Sequence, residues 1–448
     1  MIIFILLSFV FSPFARAEHY TFPADFKWCV ATAGHQVEGD NVNSDWWAWE
    51  QLPGKIRNGD KSGKAAHHME RMEEDVRWMK QLGVTMYRFS IEWSRIEPKQ
   101  GQFDEAAIAY YRRELDLLKK NGITPFVTLH HFVQPKWFTD MGGWNRDDAP
   151  EIFMHYVTKV EAAFGPDIGD WVTFNEPTVL LIGGFVIGVM PPGEHLGNVW
   201  MATVHLLQAH AKAYHYLHAQ ADSRGQKIRV GMANHIRPLV SGYWIFNKGV
   251  EYADRLTNWS LPLAVKTGEL EGIKKIWGFI PWPAKIKIDG LSGTQDFLGI
   301  NYYTREYIKL NLIPPFLHRD PLPGLIGTDL LNWGIDPEGF YYVLQKAHEN
   351  FPEVPFMITE NGINDPPDRY RADFVRAHLA QLHRAMTTLP HQVLGYCHWT
   401  LMDNFEWIEG FTPRFGILEV DYKTGDRKMR PSGKVIEKIF KSNQLDYP

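Results

Sequence analysis

The chain has 448 residues, enough for one large or two ordinary domains, and carries 47 Lys and Arg against 52 Asp and Glu. The resulting net charge of −5, with 22% charged residues, leaves no basic stripe for a nucleic acid. Aromatic residues make up 14%, including 17 Trp, which suits a large core as well as a sugar-binding cleft and excludes neither. There is no internal repeat, low-complexity tract or long charge run.

Residues 2–14 are almost wholly apolar, and Ala15-Arg16-Ala17 follows with small residues at both ends of the tripeptide. This pattern predicts a secretory signal peptide cut after Ala17, although no Lys or Arg precedes the apolar run. The run is too short to span a bilayer, so no stable membrane insertion is expected after cleavage. Residues 18–448 then form one exported domain. The two cysteines, Cys29 and Cys397, do not make a disulfide scaffold. Strand alternation puts Cys397 on the face of Trp399 and Cys29 on the opposite parity to Gln36, so two buried free thiols are expected.

Strand-like and helix-like runs then alternate. Strands are predicted at residues 26–33, 85–91, 123–129, 171–176, 228–234, 296–303, from 356, and at 393–401. Helices are predicted at 73–81, ended by Gly83, and at 104–120, opened by Asp104 and closed by Asn121-Gly122. Others follow at 151–164, 200–224, 243–266, 338–350, 368–388 and 432–440. Eight strand–helix units predict an α/β fold, a single (β/α)8 TIM barrel with its chemistry at the carboxyl ends of the strands. Gln36, Arg88, His131, Asn175, Glu176, Asn301, Tyr303, Glu360 and Trp399 lie at or just past those ends. The long, Pro-rich connection at 304–337 follows a strand end and reads as pocket wall.

Two stretches carry the chemistry. Pro355-Phe356-Met357-Ile358-Thr359-Glu360-Asn361-Gly362 is an apolar strand that stops on a carboxylate, and Trp171-Val172-Thr173-Phe174-Asn175-Glu176-Pro177 has the same design. A buried strand gains nothing from an acid there, because an ionised carboxylate out of water is costly unless paired. A single strand-ending Glu would read as a turn residue. Two of them, on strands 4 and 7, can face each other across a pocket, as glycoside hydrolysis requires.

These two motifs resemble the signatures of glycoside hydrolase family 1, the β-glucosidases and β-galactosidases. The resemblance continues in order through Phe22-Pro23 to Gln36-Val37-Glu38-Gly39, Tyr87-Arg88-Phe89-Ser90-Ile91-Glu92-Trp93-Ser94-Arg95, residues 296–304, residues 399–407 and Arg414-Phe415-Gly416-Ile417. It implies a retaining β-glycosidase that removes a terminal, non-reducing β-linked glucose or related sugar, with no cofactor and no metal. Glu360 would be the nucleophile and Glu176 the acid/base, with Arg88 and Tyr303 holding the Glu360 carboxylate and the neighbouring charge raising the proton affinity of Glu176. Retention needs the two carboxyls about 5–5.5 Å apart. Asn175 would bond the hydroxyl beside the anomeric carbon. Gln36, His131, Asn301, Trp399, Glu406, Trp407 and Phe415 would hold the sugar, and Trp333 would flank the leaving group. Glu406 implies an unphosphorylated sugar, because a carboxylate there repels phosphate. One motif departs from the family: the third strand continues His131-Phe132-Val133 where His-Trp-Asp is usual. Phe132 has no indole donor and Val133 removes an acid that supports the loop, so altered selectivity for the sugar is expected.

Two rivals remain at this level. A metal-dependent hydrolase could draw on 19 His, with His35, His131, His235 and His398 near strand ends, but no His-x-His pair ends the first strand. A carbohydrate-binding protein on a dead glycosidase fold would account for Phe132-Val133 but not for two retained carboxylates.

Overall fold

The computed structural model describes residues 18–195, 197–276, 280–310, 317–327, 331 and 333–447. The leader at 1–17 and its cleavage site therefore lie outside the described residues. Eight parallel strands close into a barrel in chain order: β1 Lys27–Ala31, β2 Met86–Ser90, β3 Thr124–His130, β4 Asp170–Asn175, β5 Arg229–His235, β6 Phe297–Asn301, β7 Phe356–Asn361 and β8 Val393–Trp399. Every residue of β2, β4, β6 and β7 is buried. One face fills the barrel and the other meets helices, which is why these strands read as continuous apolar runs without alternation. The predicted (β/α)8 fold is the one observed.

The outer helices follow the sequence pattern closely. In α1, His68–Leu82, the apolar residues Met72, Val76, Met79 and Leu82 are buried at helical spacing, and Gly83 terminates the helix at φ 81°. Asp104 caps α2, Glu105–Lys120, by accepting from Ala106 N at 2.8 Å and Ala107 N at 3.2 Å. The ring continues with α3 Ala149–Phe164, α4 Val199–Ser223, α5 Ser260–Thr267, α6 Pro337–Asn350, α7 Arg371–Thr388 and α8 Pro431–Ser442. A short antiparallel pair, Glu18–Thr21 with Gln444–Tyr447, ties the start of the described chain to its end.

Three features depart from the sequence reading. No element is predicted between 266 and 296, yet Glu269–Ile276 and Ile280–Lys287 form an antiparallel hairpin. The connection at 304–337 is not only loop: Glu306–Leu310 pairs with Leu317–Asp320 and with Leu239–Ser241, making a small sheet over the mouth between β5 and β6. Third, Cys29 and Cys397 are not free thiols but form a disulfide. Register explains it. β8 runs beside β1 with Cys397 directly opposite Cys29, and their Cα atoms are 4.1 Å apart. Directly opposed residues on parallel strands share a face. The parity argument failed because Gln36 lies in a helical turn, Gly34–Val37, beyond the end of β1, where strand alternation no longer holds.

Candidate functional site

Glu360, at the end of β7, and Glu176, directly after β4, both line one cavity of about 570 Å³ at the carboxyl end of the barrel. Both are buried, at 3% and 7% exposure, so each depends on its neighbours to carry charge. Glu360 is held at both oxygens. Arg88 on β2 donates to Oε1 at 2.6 Å and the Tyr303 hydroxyl donates to Oε2 at 2.6 Å. A second Arg88 nitrogen donates to Asn175 Oδ1 at 2.7 Å, so one guanidinium fixes the ends of β4 and β7 together. Asn301 at the end of β6 donates to Glu176 Oε1 at 2.8 Å and to Asn175 Oδ1 at 3.1 Å, while its own oxygen accepts from Thr359 at 2.5 Å. Four strand ends are thereby locked around two carboxylates.

The charge balance differs from the sequence expectation. Burial pushes the Glu360 carboxyl up to about 7, the nearby Glu176 charge pushes the same way, and Arg88 and Tyr303 pull it down. Glu176 is also pushed up by burial, but His235, Asn301 and Arg88 together outweigh this and bring it below the usual range. The cause is His235, the last residue of β5, whose Nδ1–H donates to Glu176 Oε1 at 3.1 Å. Sequence reasoning set His235 aside as one more histidine. Its signal was its place at the end of the strand next to β4. Glu176 and Glu360 titrate as a pair, so a proton on either one lowers the proton affinity of the other. Burial and the Glu360 charge keep the Tyr303 phenol well above its ordinary value, so it remains a donor.

Most of the sugar-side residues named from the sequence converge on this cavity. His131, Trp399, Glu406, Trp407 and Phe415 line the cavity, as do Asn175 and Trp333. The Trp407 ring is 6.0 Å from both His35 and His131, nearly parallel to each, and 4.7 Å from Trp46. Burial and Arg88 hold the His131 imidazole well below its usual range, so it is neutral. Its Nε2 accepts from the Asn175 amide at 2.9 Å, leaving Nδ1–H without a protein partner. Burial, then the two catalytic-motif carboxylates, raises Glu406 to about 8. Gln36 and Asn301 are both fully buried. Gln36 donates to Asn404 Oδ1 and Phe405 O, both at 2.9 Å, and to Glu406 Oε2 at 3.4 Å, while its Oε1 has no protein partner. Asn301 spends its amide on Glu176, Asn175 and Thr359.

Phe132 lines the cavity with its ring 5.2 Å from those of Trp407 and His131. Its φ of 67°, with 44° at Glu176 and 51° at Trp407, puts three non-glycine wall residues in the left-handed region, a strain that clusters at working sites. Val133 is buried, and the loop is supported from elsewhere. Asp45 Oδ1 accepts from Gln134 N at 3.2 Å and from Trp46 N at 2.8 Å, and Asp45 Oδ2 accepts from Thr139 at 3.1 Å. The four histidines near strand ends do not converge. Among the described residues no group of three or more His, Cys, Asp or Glu is placed to hold a metal ion.

Comparison with known proteins agrees with this geometry. The model of glycosyl hydrolase family 1 matches residues 18–445. Beta-glucosidase A of Thermotoga maritima is 33% identical over 449 residues, covering 95% of this chain and 99% of that protein. The solved beta-glycosidase from Pyrococcus horikoshii superposes with a TM-score of 0.84 at 35% identity, covering 95% of this chain and 96% of that one. The Thermotoga maritima beta-glucosidase in complex with methoxycarbonyl-substituted glucoimidazole gives a TM-score of 0.84 at 30% identity, covering 94% of this chain and 99% of that one.

Proposed function

The chain belongs to glycosyl hydrolase family 1, and on that premise we propose that it is a retaining β-glycosidase which releases a terminal, non-reducing β-linked glucose, or a closely related unphosphorylated sugar. The observation that carries this reading is the pair of buried carboxylates at the ends of β4 and β7, one gripped by a guanidinium and a phenol, the other by an amide and an imidazole.

Glu360 attacks the anomeric carbon while Glu176 gives its proton to the glycosidic oxygen. The C–O bond to the leaving group breaks, the alcohol departs, and a glycosyl ester forms on Glu360. Esterification removes the Glu360 charge, which lowers the proton affinity of Glu176 at the moment it must act as base. Glu176 then takes a proton from water, the water oxygen attacks the anomeric carbon, and the ester bond breaks with net retention. Arg88 and Tyr303 orient the nucleophile and receive it back as a carboxylate. Asn175, fixed by Arg88 and Asn301, is set to bond the hydroxyl beside the anomeric carbon. Glucose is favoured by the named relatives, one of them bound to a glucoimidazole. A phosphorylated sugar is disfavoured by Glu406, whose carboxylate lines the same cavity as Glu360 and Glu176. Among the described lining residues the sole guanidinium, Arg237, is already paired with Glu306 at 2.9 Å.

An activated 2-fluoro-glucoside tests this directly. The expected result is a slow covalent label on the peptide carrying Glu360, found by mass spectrometry. A label elsewhere, or no label together with no hydrolysis of any aryl β-glycoside, refutes the assignment.

The same reading includes export, with cleavage after Ala17. Support comes from the apolar leader and from the buried Cys29–Cys397 bridge, since disulfides persist in oxidising compartments. The intact mass of protein purified from its native host should match a chain starting at Glu18 that takes up no thiol reagent in denaturant until reduced. A chain starting at Met1 with two labelled thiols contradicts it.

A further inference from the structure

From the walls of the cavity we infer that the leaving group is an apolar alcohol, an alkyl chain or an aromatic ring, and not a second sugar. This rests on the β-glycosidase reading and specifies its substrate. The cavity divides along the barrel order. Residues after β3 and β8 supply His131, Glu406 and the tryptophans Trp399 and Trp407, a polar and aromatic set suited to hydroxyls. The opposite arc, after β4, β5 and β6, supplies Val179, Ile182, Val189, Met190, Leu239 and Leu331.

Three polar side chains on that arc, Arg237, Asn258 and Thr257, are already engaged. Arg237 is paired with Glu306 at 2.9 Å, and its guanidinium lies 4.8 Å from the centre of the Trp333 ring. The Asn258 side chain accepts from Arg237 N at 2.7 Å and donates to Arg237 O at 3.1 Å and Asp254 Oδ1 at 2.9 Å. Thr257 donates to Ala253 O at 2.9 Å, back along its own helix. A sugar in the leaving-group position would give up its hydrogen bonds to water and meet methyl groups and satisfied amides in return, a net cost. An alkyl or aryl group gives up nothing and buries apolar surface. The apolar character also continues outward. Ile187 and Val189 line the cavity and are 47% and 39% exposed, so its apolar lining reaches solvent. A chain longer than the cavity therefore leaves across apolar surface.

The test is a series of ethyl, butyl, hexyl and octyl β-glycosides of the sugar that labels Glu360, set against the corresponding β-linked disaccharide and trisaccharide. From ethyl to octyl the alcohol's acidity is nearly constant, so any trend reports contact with the wall and not reactivity. The expected result is a kcat/KM that rises about two- to fourfold per methylene until the cavity is filled. The octyl glycoside should exceed the disaccharide at least tenfold. Leu239→Asn should flatten the rise. A flat series in the wild type, with the disaccharide equal or better, overturns the inference while leaving the glycosidase intact. Failure to cleave any member, without labelling of Glu360, would instead overturn the glycosidase reading.

Discussion

Glu360→Ala is expected to lower kcat by about 10⁵-fold or more, the scale seen when a covalent nucleophile is deleted. Glu176→Ala should behave differently, because it removes a proton and not a bond-forming atom. With an alkyl leaving group its loss should be roughly 10²–10⁴-fold, the range of general acid catalysis. With a dinitrophenyl leaving group, which needs no proton, the first step should survive. The ester on Glu360 then accumulates for lack of a base, and KM falls along with kcat. Azide separates the two roles further. In Glu360→Ala an azide ion can occupy the vacated space and attack the sugar from that side in a single displacement, giving the α-glycosyl azide. In Glu176→Ala it can attack the glycosyl ester from the opposite side, giving the β-glycosyl azide. Proton NMR of the products reads the anomeric configuration. The same anomer from both variants would show that the roles assigned to the two carboxylates are wrong. The geometry makes the assignment asymmetric. Arg88 and Tyr303 occupy both oxygens of Glu360 at 2.6 Å, which suits a carboxylate that regains full charge each cycle. The Glu176 contacts from Asn301 and His235 fall on one oxygen.

The strands and the two carboxylates were legible in the sequence for one reason. A strand buried on both faces has no polar position to spare, so an acid at its end stands out from the run that leads to it. Local patterns also announced the helices, through Asp104 at one end and Gly83 at another. What stayed hidden depends on which residues sit opposite across the barrel. The Cys29–Cys397 bridge follows from the register of β8 against β1, the closing seam between two ends of the chain, and no local pattern encodes it. The contact of His235 with Glu176 likewise needs the pairing of β4 with β5, whose register shifts between Val172 and Asn175. The Glu269–Ile276 and Ile280–Lys287 hairpin escaped because its lysines and its prolines at 281 and 283 weaken every strand signal. Motif position put Gln36 and Asn301 among the sugar ligands. Side-chain packing, which motif position does not carry, commits the Asn301 amide to Glu176, Asn175 and Thr359.

Far from the cavity, His68 should make this protein measurably less stable in alkali. Its two ring nitrogens each face a carboxylate oxygen, Asp75 Oδ2 at 2.7 Å and Glu114 Oε1 at 3.0 Å, with all three side chains buried. Both nitrogens must donate to satisfy both acids, so the imidazolium is the form that fits. Burial opposes that charge, but the hydrogen bonds and charges of Asp75 and Glu114 outweigh it and raise the group from 6.5 to about 10. Arg427 donates to both oxygens of Asp75, at 2.7 and 2.8 Å, so α1, α2 and the strand Arg427–Met429 before α8 meet at one buried ionic cluster. The sign follows from the direction of the shift. A folded-state value above the unfolded one means that the native protein holds the proton more tightly. The stabilisation is complete below about pH 6.5 and is lost as pH rises through about 10. His68→Gln keeps a donor but no charge, leaving Asp75 and Glu114 under-compensated. It should cost on the order of 3–5 kcal/mol near neutral pH, the scale for removing one partner from a buried pair. Urea unfolding of the wild type and the variant at intervals from pH 6 to 10 provides the measurement. The difference between them should be large at pH 6 and narrow steadily towards pH 10, because alkali removes from the wild type the same charge that the substitution removes. A gap that stays constant across the range would mean that His68 is held neutral and that its contribution is packing alone.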